Sequence, residues 1–289
     1  MLLSYFRKID AYSGIRVFTA AVVAFAVLWS AGIGTWQEVV LSFGLGALWL
    51  WLSWTLLRDR WVIKSSALRF MTFLVLALYW SVEFDISTLL FYVLVVELNW
   101  HLAEHHKRKG AVLSVLHSGT ITALASLWLP QEALYYMGTV LMIWLVSGGV
   151  KVKTILQWLL AWFMIMAPLT YFLGGIEEMP HVDQAEAPLS WWALLMGLSI
   201  VAIGQWIQWN LKANQKNKSR AIVAGILVAG GGSLGWWLGS YFGTALCILG
   251  LSYHVANGLR YFKRDRLSEA LFLLVLTFVL ISYYDLIPW

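Results

Sequence analysis

The chain is poor in charge and in cysteine, and it carries no nucleotide-binding signature. Only 12% of its 289 residues are charged, about half the fraction typical of soluble domains, so a water-solvated surface is missing. Its single cysteine, Cys247, excludes an internal disulfide and a cysteine-based zinc site. It has neither a Walker loop nor a dinucleotide fingerprint, and therefore shows no energy-coupling domain of its own.

Long apolar stretches dominate what is present. The chain is 61% hydrophobic and has 19 Trp and 12 Tyr, residues that collect at membrane–water interfaces. A membrane-spanning helix needs about 20 apolar residues, and about eleven stretches approach that length. Their cores are Val17–Ile33, Val39–Leu57, Leu68–Val82, Ile86–Leu102, Ala111–Leu129, Ala133–Val150, Thr154–Leu173, Trp191–Leu211, Ala221–Leu238, Phe242–Gly258 and Leu267–Leu286. The sequence predicts an all-α, polytopic transmembrane helix bundle of about eleven spans, in a single integral membrane domain over residues 1–289.

The basic residues occupy alternate connections between these predicted spans. All 20 Lys and Arg precede the first span or follow an even-numbered one, whereas Glu38, Glu132 and Asp285 lie on the opposite connections. The basic side is cytoplasmic by the positive-inside rule, which places the N-terminus inside and the C-terminus outside. Because the basic clusters are short and lie at span ends, the net charge of +5 does not indicate nucleic-acid binding.

Glu97 is the acid that falls clearly within a predicted span. An ionisable group in a span is costly, faces the bundle or a water-filled cavity, and is a functional candidate by default. His101 follows one helical turn later on the same face. His117 lies at a similar depth on the next span of the predicted hairpin, where it could touch Glu97. These three residues are candidates for a proton-linked or substrate site, and the alternative is a purely structural pair.

Further amides and imidazoles lie near the cytoplasmic ends of the predicted spans. Gln205, Gln208 and His254 are the candidate substrate-binding residues among them. Unsatisfied amides in lipid cost several kcal/mol, so this asymmetry predicts a polar vestibule that opens to the cytoplasm. The favoured hypothesis is therefore a transporter- or flippase-like membrane protein, whose substrate the sequence does not identify.

A histidine-rich segment supports a different hypothesis. His101, Glu104 and His105 form a His-x-x-Glu-His pattern, which resembles the inverted zinc-peptidase motif and one histidine box of membrane di-iron enzymes. Such enzymes carry several boxes, whereas the other histidines here are isolated. A zinc site would need Glu97 or His117 as a third ligand. A membrane-embedded metalloenzyme therefore remains an alternative, beside a solvated basic helix end, and the cofactor stays unassigned.

Gly231, Gly235 and Gly239 recur every four residues in the ninth predicted span. This spacing exposes a strip of bare backbone on one helix face and predicts close packing against another helix. Short loops and exposed glycine faces also suit a structural or assembly subunit of a larger membrane complex. The predicted partners are accordingly the lipid bilayer and either other membrane subunits or further copies of the chain.

The C-terminal stretch contains small residues before a span, a basic turn and an aromatic-acid ending. These are Gly239-Ser240-Tyr241-Phe242-Gly243, Lys263-Arg264-Asp265-Arg266 and Tyr283-Tyr284-Asp285-Leu286. The stretch resembles the C-terminal part of a bacterial family of multi-spanning inner-membrane proteins with no assigned function. The resemblance implies a location in the bacterial inner membrane and implies no catalytic residues.

Overall fold

The described part of the chain is helical apart from short turns. The computed structural model describes residues 36–52, 86–128, 132–148, 151–172, 197–200 and 215–261, and positions 15, 19, 22, 203, 204, 207 and 273. Its principal elements are α1 (Trp36–Leu52), α2 (Ile86–Lys109), α3 (Val112–Trp128), α4 (Ala133–Ile143), a π-helical continuation of α4 (Trp144–Gly148), α5 (Val152–Phe172), α6 (Gln215–Leu238) and α7 (Tyr241–Tyr261). The all-α prediction is confirmed for these residues.

The helices coincide with seven of the predicted apolar segments, and two of them extend well beyond the predicted bounds. α2 continues past Leu102 through the histidine-rich run to Lys109, and α6 begins at Gln215 instead of Ala221. Lys, Arg and Gln are good helix formers, so both helices extend beyond their apolar cores. The predicted segment Ala133–Val150 becomes a π-helix at Trp144, which the hydrophobic pattern did not indicate.

The remaining predicted segments lie mostly outside the described residues. Leu68–Val82 is wholly outside them. Seven helical positions are described within Trp191–Leu211, two within Val17–Ile33 and one within Leu267–Leu286. The predicted number of spans is therefore not tested. No helix of the described residues combines the length and the hydropathy required to cross a membrane.

Two tight hairpins reverse the chain direction. α2 and α3 are joined through Gly110, whose φ of 63° lies in the left-handed region that suits glycine. Gly239, with φ of 62°, similarly separates α6 from α7. In the first hairpin the Nδ1 atom of His105 lies 2.9 Å from the Ser114 hydroxyl. Both hairpins thus place their helices side by side and antiparallel.

Helices two apart in the span order run parallel. The Ser118 hydroxyl accepts a hydrogen bond from the Trp158 indole, and further along both helices Ser126 accepts one from Trp162. α3 and α5 therefore point the same way. This relation is what alternating segments require, because the fifth and seventh predicted segments should share a direction.

α2 and α7, the fourth and tenth predicted segments, also run parallel, as segments an even number apart should. The rings of Tyr92 and Phe242 are 5.2 Å apart near the start of both helices. The rings of Trp100 and Tyr253 are 5.6 Å apart further along. Tyr92 also lies 6.2 Å from Tyr136 of α4, so the three helices begin at one end of the bundle.

These directions collect charge at one end of the bundle. We define the basic end as the end at which α2 ends and α3 begins, and the Glu132 end as the opposite one. Every Lys and Arg within the described ranges lies at or next to a helix terminus of the basic end. They are Lys107, Arg108, Lys109, Lys151, Lys153, Lys216, Lys218, Arg220 and Arg260.

Candidate functional site

The candidate site centres on α2, which packs against α1, α3, α4, the π-helical segment and α7. The Glu97 side chain is only 2% exposed. One turn later His101 is half-buried, and its ring lies 6.4 Å from that of His105 at an angle of 28°. Residues three or four apart on a helix share a face, so Glu97, His101 and His105 form one polar stripe toward the basic end.

His254 brings a second buried ionisable side chain to this region. It is 2% exposed on α7, and its Nε2 atom has no hydrogen-bond partner among the described residues. The contact between the Trp100 and Tyr253 rings puts His254 at the height of the Glu97–His101 turn. A buried ring nitrogen without a partner has lost its hydration without replacement. The His254 Nε2 atom is therefore available for a hydrogen bond near the stripe.

His117 is placed differently from the prediction. It is exposed, whereas Glu97 is buried, so the structure does not bring the two side chains together. The polar residue that α3 directs into the bundle is the next one, Ser118, which is fully buried. Neighbouring positions on a helix point about 100° apart, and the depth of a residue in its predicted span does not fix that angle. The candidate site therefore contains Glu97 and His101 of the stripe and His254 of α7, but not His117.

A buried hydrogen-bond network on the other side of α2 was not among the predicted site residues. The Asn99 amide donates to the Val95 carbonyl at 2.9 Å and lies 3.1 Å from the Tyr136 hydroxyl. Its oxygen accepts hydrogen bonds from Ser118 and, at 3.4 Å, from Thr122. The sequence did contain a signal for this network, because α3 has a small hydroxyl residue at every fourth position: Ser114, Ser118, Thr122 and Ser126.

Ser118 is the centre of this network. Its hydroxyl donates to Asn99 and accepts from the Trp144 indole at 2.8 Å and the Trp158 indole at 2.9 Å. A serine hydroxyl has one donor and two acceptor positions, so its capacity is filled. Such a saturated network rigidifies a core. It joins α2, α3, the π-helical segment and α5, and it leaves no free group for a ligand at Ser118.

Two histidines of the predicted histidine-rich segment are held by other contacts. The Nδ1 atom of His105 pairs with Ser114, and that of His106 lies 3.1 Å from the Ala111 carbonyl oxygen. Within the described ranges, no group of three His, Cys, Asp or Glu side chains is placed to hold a metal ion. The assignment of His101, Glu104 and His105 to a metal site stays a prediction.

The glycine strip divides into two roles. A Cβ atom built on Gly231 would lie 2.6 Å from both the Cys247 nitrogen and the Gly243 oxygen. A Cβ on Gly243 would in turn lie 2.6 Å from the Gly235 nitrogen. Gly231 and Gly235 therefore lie where the backbones of α6 and α7 meet. Gly239 lies just beyond α6, where its positive φ ends the helix.

Gln205 and Gln208 fall outside the described residues, so the predicted vestibule is described only through α2 and α7. No protein-family model, curated protein or solved structure matches the chain. The bacterial family suggested by the C-terminal stretch accordingly stays an expectation. What the chain does has to be argued from its own side chains.

Proposed function

We propose that this chain is a multi-spanning membrane transporter, in which Glu97 binds the coupled proton and His101 and His254 line a polar site near the cytoplasmic face. The observation that carries the proposal is the burial of Glu97, at 2% exposure, inside a helical bundle. Ionisable groups within membrane bundles mark ion pathways and proton relays. The substrate class stays open.

A membrane location is supported by the outward face of α5. Large apolar side chains lie on this face at helical spacing and are between 60% and 83% exposed. They are Val152, Leu156, Leu160, Phe163, Met164 and Tyr171. Extended apolar surfaces of this kind mark membrane or protein contacts. In our proposal lipid covers this face, and the basic end is cytoplasmic by the positive-inside rule.

A carboxyl at the Glu97 position is suited to binding and releasing a proton. Burial disfavours the ionised form unless partners compensate it, so its charge depends on what lies nearby. His254 lies on a parallel helix at the same height and has an unpartnered ring nitrogen. A substrate or water that enters between α2 and α7 would change the surroundings of both groups. This dependence is what couples a proton to substrate movement.

Infrared difference spectroscopy tests the proton-binding role without a known substrate. Spectra of the full-length protein in nanodiscs are recorded between acidic and alkaline pH, for the wild type, Glu97→Gln and Glu104→Gln. We expect a buried-carboxyl band in the wild type and in Glu104→Gln, whose position is half-buried at the basic end. Because Glu132 is also buried, at 5% exposure, the Glu97 contribution is the part of the band that is present in the wild type and missing in Glu97→Gln. A band that is unchanged in Glu97→Gln would contradict the proposal.

Transport is then measured by electrophysiology on solid-supported membranes, using proteoliposomes and a panel of amino acids, sugar phosphates and organic cations. For a transported compound, Glu97→Gln should lower the pH-driven current at least about tenfold, because loss of a proton-linked site removes the coupling. Glu104→Gln should retain it. Equal currents in the wild type and Glu97→Gln would exclude Glu97 as the coupling group.

The second candidate is a structural subunit of a membrane complex, and the same exposed face of α5 favours it. A partner protein would cover Leu156, Leu160 and Met164 as well as lipid does. Native mass spectrometry of gently extracted protein separates the two proposals. Partners at fixed stoichiometry, together with indifference to Glu97→Gln, would favour the subunit. A lone chain or homo-oligomer would favour the transporter.

A further inference from the structure

A second buried carboxylate joins two helices at the Glu132 end. Glu132 immediately precedes α4 and is 5% exposed. Its Oε2 atom accepts a hydrogen bond of 2.7 Å from the main-chain N–H of Phe242, which lies 110 residues later in the first turn of α7. A side chain from α4 therefore caps a helix distant in sequence, and it fixes the turn between α6 and α7 against the bundle.

The N-terminus of α7 favours the ionised form of this carboxylate. The Ser240 hydroxyl accepts from the Gly243 N–H at 2.9 Å, as a local N-cap does. The Phe242 N–H is left for Glu132. Negative charge next to the first turn of a helix is stabilised by the helix dipole and by charge-assisted hydrogen bonds. Protonation of Glu132 would weaken both contributions.

A buried hydroxyl that could accept from the protonated form lies in the aromatic cluster around Phe242. The Tyr92 hydroxyl has no hydrogen-bond partner among the described residues, although Tyr92 is only 1% exposed. The Tyr92 ring packs 5.2 Å from the ring of Phe242, the residue whose N–H Glu132 holds. The rings of Tyr92, Tyr136 and Phe242 pack together with centroids between 5.0 Å and 6.2 Å apart. They exclude water and leave the hydroxyl as an unused acceptor.

We propose that Glu132 is a proton-binding latch. When ionised, it holds the Phe242 N–H and ties α7 to α4. When it takes up a proton from water at the Glu132 end, the new O–H donates to the Tyr92 hydroxyl, and the hydrogen bond from the Phe242 N–H loses its charge assistance and weakens. That the latch serves as the outer gate of a transporter rests on the function proposed above. The proton-dependent contact between Glu132 and α7 does not depend on that function.

Among the residues that the structure describes, few other titratable side chains lie at this place. The hydroxyls of Tyr92 on α2 and Tyr136 on α4 are the titratable side chains of the aromatic cluster, and α7 contributes main-chain N–H groups. Every His within the described ranges lies nearer the basic end, as do all the described Lys and Arg residues. Of the groups that the structure describes at this end, Glu132 is therefore the one on which we expect acidification to act.

Hydrogen–deuterium exchange of the full chain in nanodiscs measures the latch directly. After correction for the intrinsic pH dependence of exchange, protection of the Phe242–Thr244 amides should fall about tenfold on acidification, as loss of one charge-assisted hydrogen bond allows. Glu132→Gln should show the low protection at every pH. Glu104→Gln, at the basic end, should behave as the wild type does.

Tyr92→Phe gives a second readout that does not depend on the stability of Glu132→Gln. It removes the acceptor for the protonated acid, so the loss of protection should move to lower pH. Protection that is independent of pH in the wild type, or an unshifted midpoint in Tyr92→Phe, would overturn the latch. Failure here with a positive Glu97 result would remove only the latch. The reverse pattern would remove only the proposed transport function.

Discussion

Two helix interfaces in this bundle are built on opposite principles. α6 and α7 meet through glycine, with backbone against backbone at Gly231, Gly235 and Gly243. α3 meets α2 through the polar network centred on Asn99 and Ser118, whereas its contact with α5 combines the Trp158 hydrogen bond with a close backbone approach at Gly119. The first interface depends on the absence of side chains, and the second depends on hydrogen bonds made by small polar ones.

The two interfaces also differ in what they permit. Close backbone contact tolerates almost no added atom but makes few directional demands, so it favours a hairpin that moves as one body. A saturated network fixes one geometry, because every rearrangement leaves a buried group unpaired. α2 lies between these two kinds of interface and carries Glu97. We therefore expect that movement at the candidate site occurs between α2 and the α6–α7 hairpin.

The largest expected effect is at the glycine interface. Gly231→Ala puts a Cβ 2.6 Å from backbone atoms of α7, which cannot move aside as a flexible side chain can. We expect a loss of about 1–3 kcal/mol in the free energy of unfolding, measured by denaturant titration in a fixed detergent. Gly230→Ala is the matched control, since nothing lies within 4 Å of its Cβ. Equal losses for both variants would contradict the account of this interface.

A smaller loss of stability is expected at the network centred on Asn99 and Ser118. Asn99→Leu keeps most of the side-chain volume but leaves the Ser118 and Tyr136 hydroxyls without Asn99. The free energy of unfolding should fall by about 1–2 kcal/mol. Ser233→Ala, which removes an exposed hydroxyl bonded to its own helix, should change it by less than about 0.5 kcal/mol. A cost for Asn99→Leu no larger than for Ser233→Ala would mean that the network contributes little.

The smallest effect should be the coupling between the two interfaces. Gly231 and Asn99 share no partner in the contacts of the described helices. Combining Gly231→Ala with Asn99→Leu should therefore give the sum of the single losses within about 0.5 kcal/mol. A larger interaction term would show that α2 transmits strain from one interface to the other. The two interfaces would then have to be treated as one coupled region.

The helices were largely predictable because apolar runs of span length are a strong signal. Seven described helical segments fall where the sequence predicted them. The pairings of Trp158 with Ser118 and of Trp162 with Ser126 give the direction of α5 relative to α3. The change from α-helix to π-helix at Trp144 was not predictable, because hydropathy carries no information on the register of the main-chain hydrogen bonds. α2 also extended past its apolar core to Lys109.

The candidate site was less predictable than the helices. Burial of Glu97 and His254 follows from their place inside apolar segments. The exposure of His117 depends on the rotation of α3 about its own axis. A shift of one residue along the helix is enough to turn a different side chain toward the bundle. The four hydroxyl residues of α3 gave a usable signal for the network, since a polar stripe on an apolar helix turns inward. The contact between Glu132 and Phe242 joins residues with no local relation, so no sequence pattern could indicate it.

The most direct test of the account is the side on which each end of the bundle lies. Single cysteines are introduced at Lys109 and at Gln131, next to Glu132, in a chain that carries Cys247→Ala. They are labelled with an impermeant maleimide in right-side-out and inside-out vesicles. The account predicts that Lys109→Cys is labelled only from the cytoplasmic side and Gln131→Cys only from the outside. Labelling of both from the same side would contradict a bundle that crosses the membrane.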